Sequence, residues 1–142
     1  MLPETMPSAP DIERAVISTL LFEPEHIPTV MHAGGADIFY KPAHQCIIRA
    51  IDTLHTEGHP VDQLTLSDCL ANDGMLEQAG GEAAIAALSG HINAASNILR
   101  HIEILREKAA RRKLAELCVS TIGHACDGGV PFANVIGTLR DG

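Results

Sequence analysis

The feature that most restricts this chain is a run of apolar residues at helical spacing that begins near Ala94 and continues for roughly thirty residues. Ala95, Ile98, Ile102, Leu105 and Ala109 make one stripe, and Ala110, Leu114, Leu117, Cys118, Thr121 and Ile122 continue it with a drift. Helices in globular domains average about 11–12 residues, so a helix this long is expected to project from the body that carries it. Asp127-Gly128-Gly129 reads as a turn, and Pro131 opens a second segment with Phe132, Val135, Ile136 and Leu139 at i, i+3, i+4 and i+7. The two segments together predict a helical hairpin. An isolated pair of helices cannot bury both apolar faces, so one face is expected to seek another copy of the chain or a different protein. The alternative is a hairpin folded back on its own globule. The second helix has only about nine residues before Gly142, far fewer than the first, which predicts a chain truncated at that end.

Upstream, shorter helices are expected. Ile12, Ala15, Val16, Thr19 and Leu20 place a helix from Pro10 to Phe22, with Pro10 in its first turn and Asp11 favouring the positive end of its dipole. Glu23-Pro24 should end it, because a residue before proline is pushed out of the α region. A short helix through Ile27, Val30 and Met31 closes at Gly34-Gly35, and a stronger one runs from Pro42 through Ile47, Ile48, Ile51 and Leu54 to Gly58. Thr65-Leu66-Ser67-Asp68 reads as a capping box that starts a helix burying Leu66, Cys69 and Leu70, and Ala83 to Leu88 form a small-residue helix after Gly80-Gly81. With three Phe, one Tyr and no Trp, the core must come from Leu, Ile, Val and Ala. The expected fold class is therefore all-α, a multi-helix globule followed by a long helix and a helical hairpin, divided as a flexible tail over 1–9, a globule over 10–92 and the hairpin over 93–142.

Charge and cysteine usage narrow the function classes. The net charge is −8, yet Arg100, Arg106, Lys108, Arg111, Arg112 and Lys113, set against Glu103 and Glu107, give one segment +4 and leave −12 on the remainder. An acidic body gains no general attraction for phosphates, so little or no direct nucleic-acid binding is expected, and what there is would rest on that stripe. The stripe also reads as a solvated helix edge. Cys46, Cys69, Cys118 and Cys126 are dispersed without a C-x-x-C pair, which suits reduced thiols. The first ten residues lack both a basic and an apolar region of the secretory kind, and no stretch is long and apolar enough for a membrane span. A cytoplasmic location follows by elimination.

Catalytic signatures are missing. A P-loop needs G-x-x-x-x-G-K-[ST], because glycine amides cradle phosphates while lysine and hydroxyl hold charge and metal, and no glycine here precedes a lysine. G-x-G-x-x-G, G-x-S-x-G and H-E-x-x-H are also missing. Among eight histidines, His55 and His59 are four apart and His124 lies near Cys118 and Cys126, but Gly58 and Pro60 break the helix between the first two and no four-ligand spacing completes a zinc site. No catalytic residue, cofactor-binding residue or metal ligand is nominated.

Several weak motifs in one order supply the positive reading. Glu13-Arg14-Ala15-Val16-Ile17 and Asp37-Ile38-Phe39-Tyr40-Lys41-Pro42-Ala43-His44 are followed by Gly58-His59-Pro60-Val61-Asp62, Thr65-Leu66, Leu70, Gly74-Met75-Leu76 and Gly80-Gly81. Ala94-Ala95-Ser96-Asn97, Arg106-Glu107-Lys108 and Arg111-Arg112-Lys113-Leu114 complete the series. From about Pro10 to Leu117 this order resembles the N-terminal domain of DnaB-type replicative DNA helicases, with Ser18 in place of a glycine and Ala84-Ile85 in place of Tyr-Leu. The resemblance implies a helical globule and hairpin without catalysis, in which hairpins pair two subunits and three pairs form a collar on a hexameric motor. It further implies docking of the helicase-binding domain of primase, a helicase loader as a further partner, and ATP and Mg held only by the motor. By carry-over, Ile102, Leu105, Ala109, Leu114 and Leu117 are interface candidates with Arg106, Arg111 and Arg112 on the polar rim, so that Leu105→Asp should abolish pairing. His44, Asp62 and Phe39 are read as structural. The competing expectation is a freestanding phage- or plasmid-type protein that binds helicase or primase without a motor.

Overall fold

Proline and glycine set the punctuation of the fold, and leucine, isoleucine and valine fill the spaces between. In the computed structural model, which describes residues 5–90 and 97–141, the order is α1 (Pro10–Phe22), α2 (Ile27–His32), α3 (Pro42–Thr56), α4 (Gln63–Asn72), α5 (Gly81–Leu88), α6 (Ile98–Cys126) and α7 (Phe132–Asp141), with 3-10 turns at Pro24–His26 and Gly35–Ile38. Among the described residues there is no strand. Glu23 leaves the helical region at φ −130°, as its proline neighbour requires, and its N–H still reaches the Thr19 carbonyl at 2.7 Å. Gly34 turns the chain at φ 132°, and a Cβ there would lie 2.7 Å from Ile38 Cγ2, so only glycine suits the position. The expected onset near Ala94, the 92–93 division and the first residues of the tail lie outside the described residues.

Two compact units emerge. Ser8–Ala109 forms the larger, and the chain from Ala110 onward, with the described residues before Ser8, forms the smaller. In the larger unit Val16, Ile17 and Leu20 of α1, Ile27 and Val30 of α2, Ile47, Ile48 and Ile51 of α3, Leu66 and Leu70 of α4, and Ile85 of α5 make one core, joined by Phe39 and by Ile98, Ile102 and Leu105 of α6. Phe39 is core, as its sequence position suggested.

Two details depart from the sequence expectations. The cap of α4 lies three residues earlier than Thr65: Asp62 is the N-cap, its carboxylate accepts from the Thr65 N–H at 2.9 Å, and Thr65 Oγ1 accepts from the Asp62 N–H at 2.9 Å. Asp is a strong N-cap and Thr can fill the reciprocal position, so the box runs from Asp62 to Thr65 and Asp68 has no part in it. The buried face of α1 is also rotated relative to the expected stripe. Its fully buried positions are Glu13, Val16, Ile17 and Leu20, at i, i+3, i+4 and i+7, while Ile12 and Ala15 are only half-buried.

Glu13 is thus a carboxylate with no exposed surface. Its Oε2 accepts from the Tyr40 N–H at 2.8 Å, and its Oε1 accepts from the Lys41 N–H at 3.3 Å and from His44 Nδ1 at 2.7 Å. Burial alone would push this carboxyl up, but the hydrogen bonds from His44 and from the two backbone amides prevail, and it titrates below its ordinary value of 4.5. A carboxylate that is easier to ionise in the folded chain stabilises the fold above the unfolded-state value, and that stabilisation is lost as pH falls through the folded one. We expect Glu13→Gln to cost about 2 kcal/mol near neutral pH, since its amide nitrogen would face N–H donors. Urea titrations at descending pH check this: below pH 4.5 the parent should lose stability and converge toward the variant. A pH-independent gap would refute the role.

Candidate assembly surface

The long helix α6 serves two environments along one uninterrupted backbone. Ile98, Ile102 and Leu105 are buried in the larger unit and Ala109 packs against that core. From Ala110 onward the helix buries no large apolar side chain; Leu117, Thr121 and His124 are half-buried, and the exposed side carries Leu114, Cys118 and Ile122 at i, i+4 and i+8. Beyond Cys126 the turn is held by the Asp127 carboxylate, which accepts from the Gly129 N–H at 2.9 Å, and by Val130 N–H donating to the Asp127 carbonyl at 3.1 Å. Pro131 then begins the first turn of α7, its carbonyl accepting from Asn134 N–H at 2.9 Å.

The apolar face of α7 is largely uncovered. Of Phe132, Val135, Ile136 and Leu139, only Val135 is buried, whereas Phe132 is 77% exposed and Ile136 and Leu139 remain open. Isolated surface leucines are ordinary, but an apolar stripe on each of two consecutive helices within one small unit is the kind of surface that acquires a partner.

The eight interface candidates separate into groups. Ile102 and Leu105 are taken up by the chain's own core and offer no free face, while Ala109 is half-buried against it; their shared period with Leu114 is what made them look like one seam. Leu114 is exposed and Leu117 half-buried, while Arg106 and Arg111 are exposed. Arg112, expected on the polar rim, is instead buried, and its Nη1 donates to the Pro7 carbonyl at 2.8 Å. The exposed apolar residues Phe132, Ile136 and Leu139 had been visible as a helical stripe without being nominated. Leu105→Asp would therefore place a charge in the core and unfold the globule, which makes it unsuitable for separating subunits.

His55 and His59 fall on either side of the end of α3, and His59 Nε2 lies 3.6 Å from Glu57 Oε2. The one grouping of three potential ligand atoms among the described residues is Glu23, Glu25 and His26, with His26 Nε2 3.1 Å from Glu23 Oε2 on a largely solvated turn. No described helix is long and apolar enough to cross a membrane.

Comparison with known proteins places these features. The family model described as the DnaB-like helicase N terminal domain matches residues 5–107. The replicative DNA helicase DnaB of Rhodothermus marinus is 36% identical over 121 residues, covering 85% of this chain and 13% of that protein. The DnaB of Pasteurella multocida is 31% identical over 124 residues, covering 82% of this chain and 27% of that protein. The chain thus spans about a quarter or less of the curated relatives it matches. The crystal structure of the N-terminal domain of DnaB helicase from Mycobacterium tuberculosis superposes with a TM-score of 0.87 at 28% identity, covering 97% of this chain and all of that one.

The division of labour along α6 has a direct test. Leu105→Ala should lower unfolding free energy by about 3 kcal/mol, while Leu114→Ala should stay within about 0.5 kcal/mol of the parent in dilute solution. Equal losses in chemical denaturation would contradict it.

Proposed function

Because the chain belongs to the DnaB-like helicase N-terminal domain family, we propose that it is the assembly domain of a replicative DNA helicase, pairing subunits through the helix-turn-helix unit of α6 and α7. The observation that carries this reading is the set of exposed apolar side chains in the smaller unit, Leu114 and Ile122 on α6 and Phe132, Ile136 and Leu139 on α7. Taking a large apolar side chain from full exposure to burial is worth about 1.5–3 kcal/mol; these are only partly exposed, but a pair covers the five on both copies, so pairing gains on the order of 10 kcal/mol. Association costs about 4–15 kcal/mol in lost freedom, so pairing by this unit alone is weak and needs further subunit contacts to persist. A collar of three pairs around a motor ring supplies such contacts. In this reading ATP and Mg act only in the motor, and the chain itself does not hydrolyse ATP. The collar also receives the helicase-binding domain of primase, with a helicase loader as a further partner.

Sedimentation equilibrium up to millimolar protein tests the pairing. The parent should show a concentration-dependent rise toward the dimer mass, and Phe132→Asp and Ile136→Asp, both at exposed positions, should each weaken it at least about tenfold. Cys118 lies on the same ridge and is exposed, so mild oxidation should trap a covalent dimer that Cys118→Ser prevents. A dimer indifferent to both aspartates would place the interface elsewhere.

A further inference from the structure

A cavity of about 280 Å³ opens in the larger unit where α1, the start of α3 and α5 meet, and the assembly reading does not use it. Its floor includes Ile47 and Ala79, one wall is made of Ala84 and Ala87 of α5, and Arg14, Lys41 and His44 bring polar groups to it. The space exists because the wall is alanine. Gly80 keeps α5 close, for a Cβ there would lie 2.8 Å from the Ala84 Cβ, and the exposed Ala84 and Ala87 leave room where larger side chains would fill it.

The polar side is rich in donors. His44 is 7% exposed and lines the cavity, but its Nδ1–H is committed to Glu13 and Nε2 of that tautomer accepts, so the donors come from Lys41 and Arg14. Lys41 is exposed at the N-cap of α3, and no side chain caps the first turn of that helix, whose amides favour negative charge. Arg14 pairs with Asp11 through one of five N–H donors, which leaves the others for a further acceptor. The carboxylate of Glu13, held by two backbone amides and His44, is buried and is not among the residues that line the cavity.

We propose that this cavity docks an acidic peptide of a partner protein, one carboxylate binding at Lys41 and Arg14 while a neighbouring aliphatic side chain lies on the alanine wall. The volume suits one or two side chains and is below the usual range of small-molecule sites, about 300–1,000 Å³. A nucleic-acid strand fits less well. No aromatic residue lines the cavity to stack a base, and the remainder of the chain outside the basic stripe carries −12, which repels a polyanion but leaves a single carboxylate able to approach two cationic side chains.

The probe is a blocked hexapeptide of alternating leucine and glutamate, titrated into the isotope-labelled full chain while amide shifts are followed. Saturable shifts should appear at Ala43, His44, Ala84 and Ala87. The glutamine counterpart should bind about tenfold more weakly or worse, as loss of a charge-assisted hydrogen bond implies. Lys41→Glu should weaken binding similarly, and Ala87→Phe should block it by filling the space; both positions are exposed, so the fold should be unchanged in the same spectra. Three results would each overturn the proposal: no shift at these amides with millimolar peptide, equal binding of the glutamine peptide, or shifts produced there by oligothymidylate and not by the peptide.

Discussion

A single buried carboxylate organises the larger unit. Glu13 lies on the inner face of α1 with Val16, Ile17 and Leu20, and it would be a costly guest there without the Tyr40 and Lys41 amides and His44 Nδ1 directed at it. Those three donors belong to the segment that starts α3, so the bonds that keep the charge tolerable also fix where α3 begins relative to α1. With that start fixed, Ile47, Ile48 and Ile51 meet the residues of α1, and Lys41 and His44 are set at the edge of the cavity beside α5. Packing and polar satisfaction are one constraint here, and loss of the carboxylate would loosen both.

The second organising fact is that α6 changes role without changing conformation. Its first three turns contribute Ile98, Ile102 and Leu105 to the core, whereas the exposed Leu114, Cys118 and Ile122 belong to the smaller unit. A helix needs no adjustment of its own hydrogen bonds to pass between such environments, because each turn is satisfied internally.

Much of this was legible in the sequence. Pro10, Pro42 and Pro131 mark the first turns of helices, the Glu23-Pro24 step marks an end, and the periods of α3 and α7 agree with the observed helices. What stayed hidden has physical reasons. Glu13 interrupts the apolar period of α1 with a charge, so the stripe through Ile12 and Ala15 looked better than the true face, and its partner His44 is distant in sequence. Asp62 and Thr65 were both conspicuous, but Thr and Asp can each begin a capping box, and spacing alone does not choose between them. The stripe of α6 has one period whether a residue faces its own core or another molecule, so Leu105 and Leu114 were indistinguishable until burial separated them. Arg112 looked like one more solvated cation because its acceptor, the Pro7 carbonyl, is more than a hundred residues away.

The proposed pairing puts another copy of the chain on the apolar face of α7. Amide hydrogen exchange measured across a wide range of protein concentration tests it most directly, because it reports position and association together. With pairing there, amides of Ile136, Gly137, Thr138 and Leu139 should gain protection as concentration rises, while those of α3 in the core should not change. Protection of α7 that stays constant while the mass of the particle doubles would contradict it.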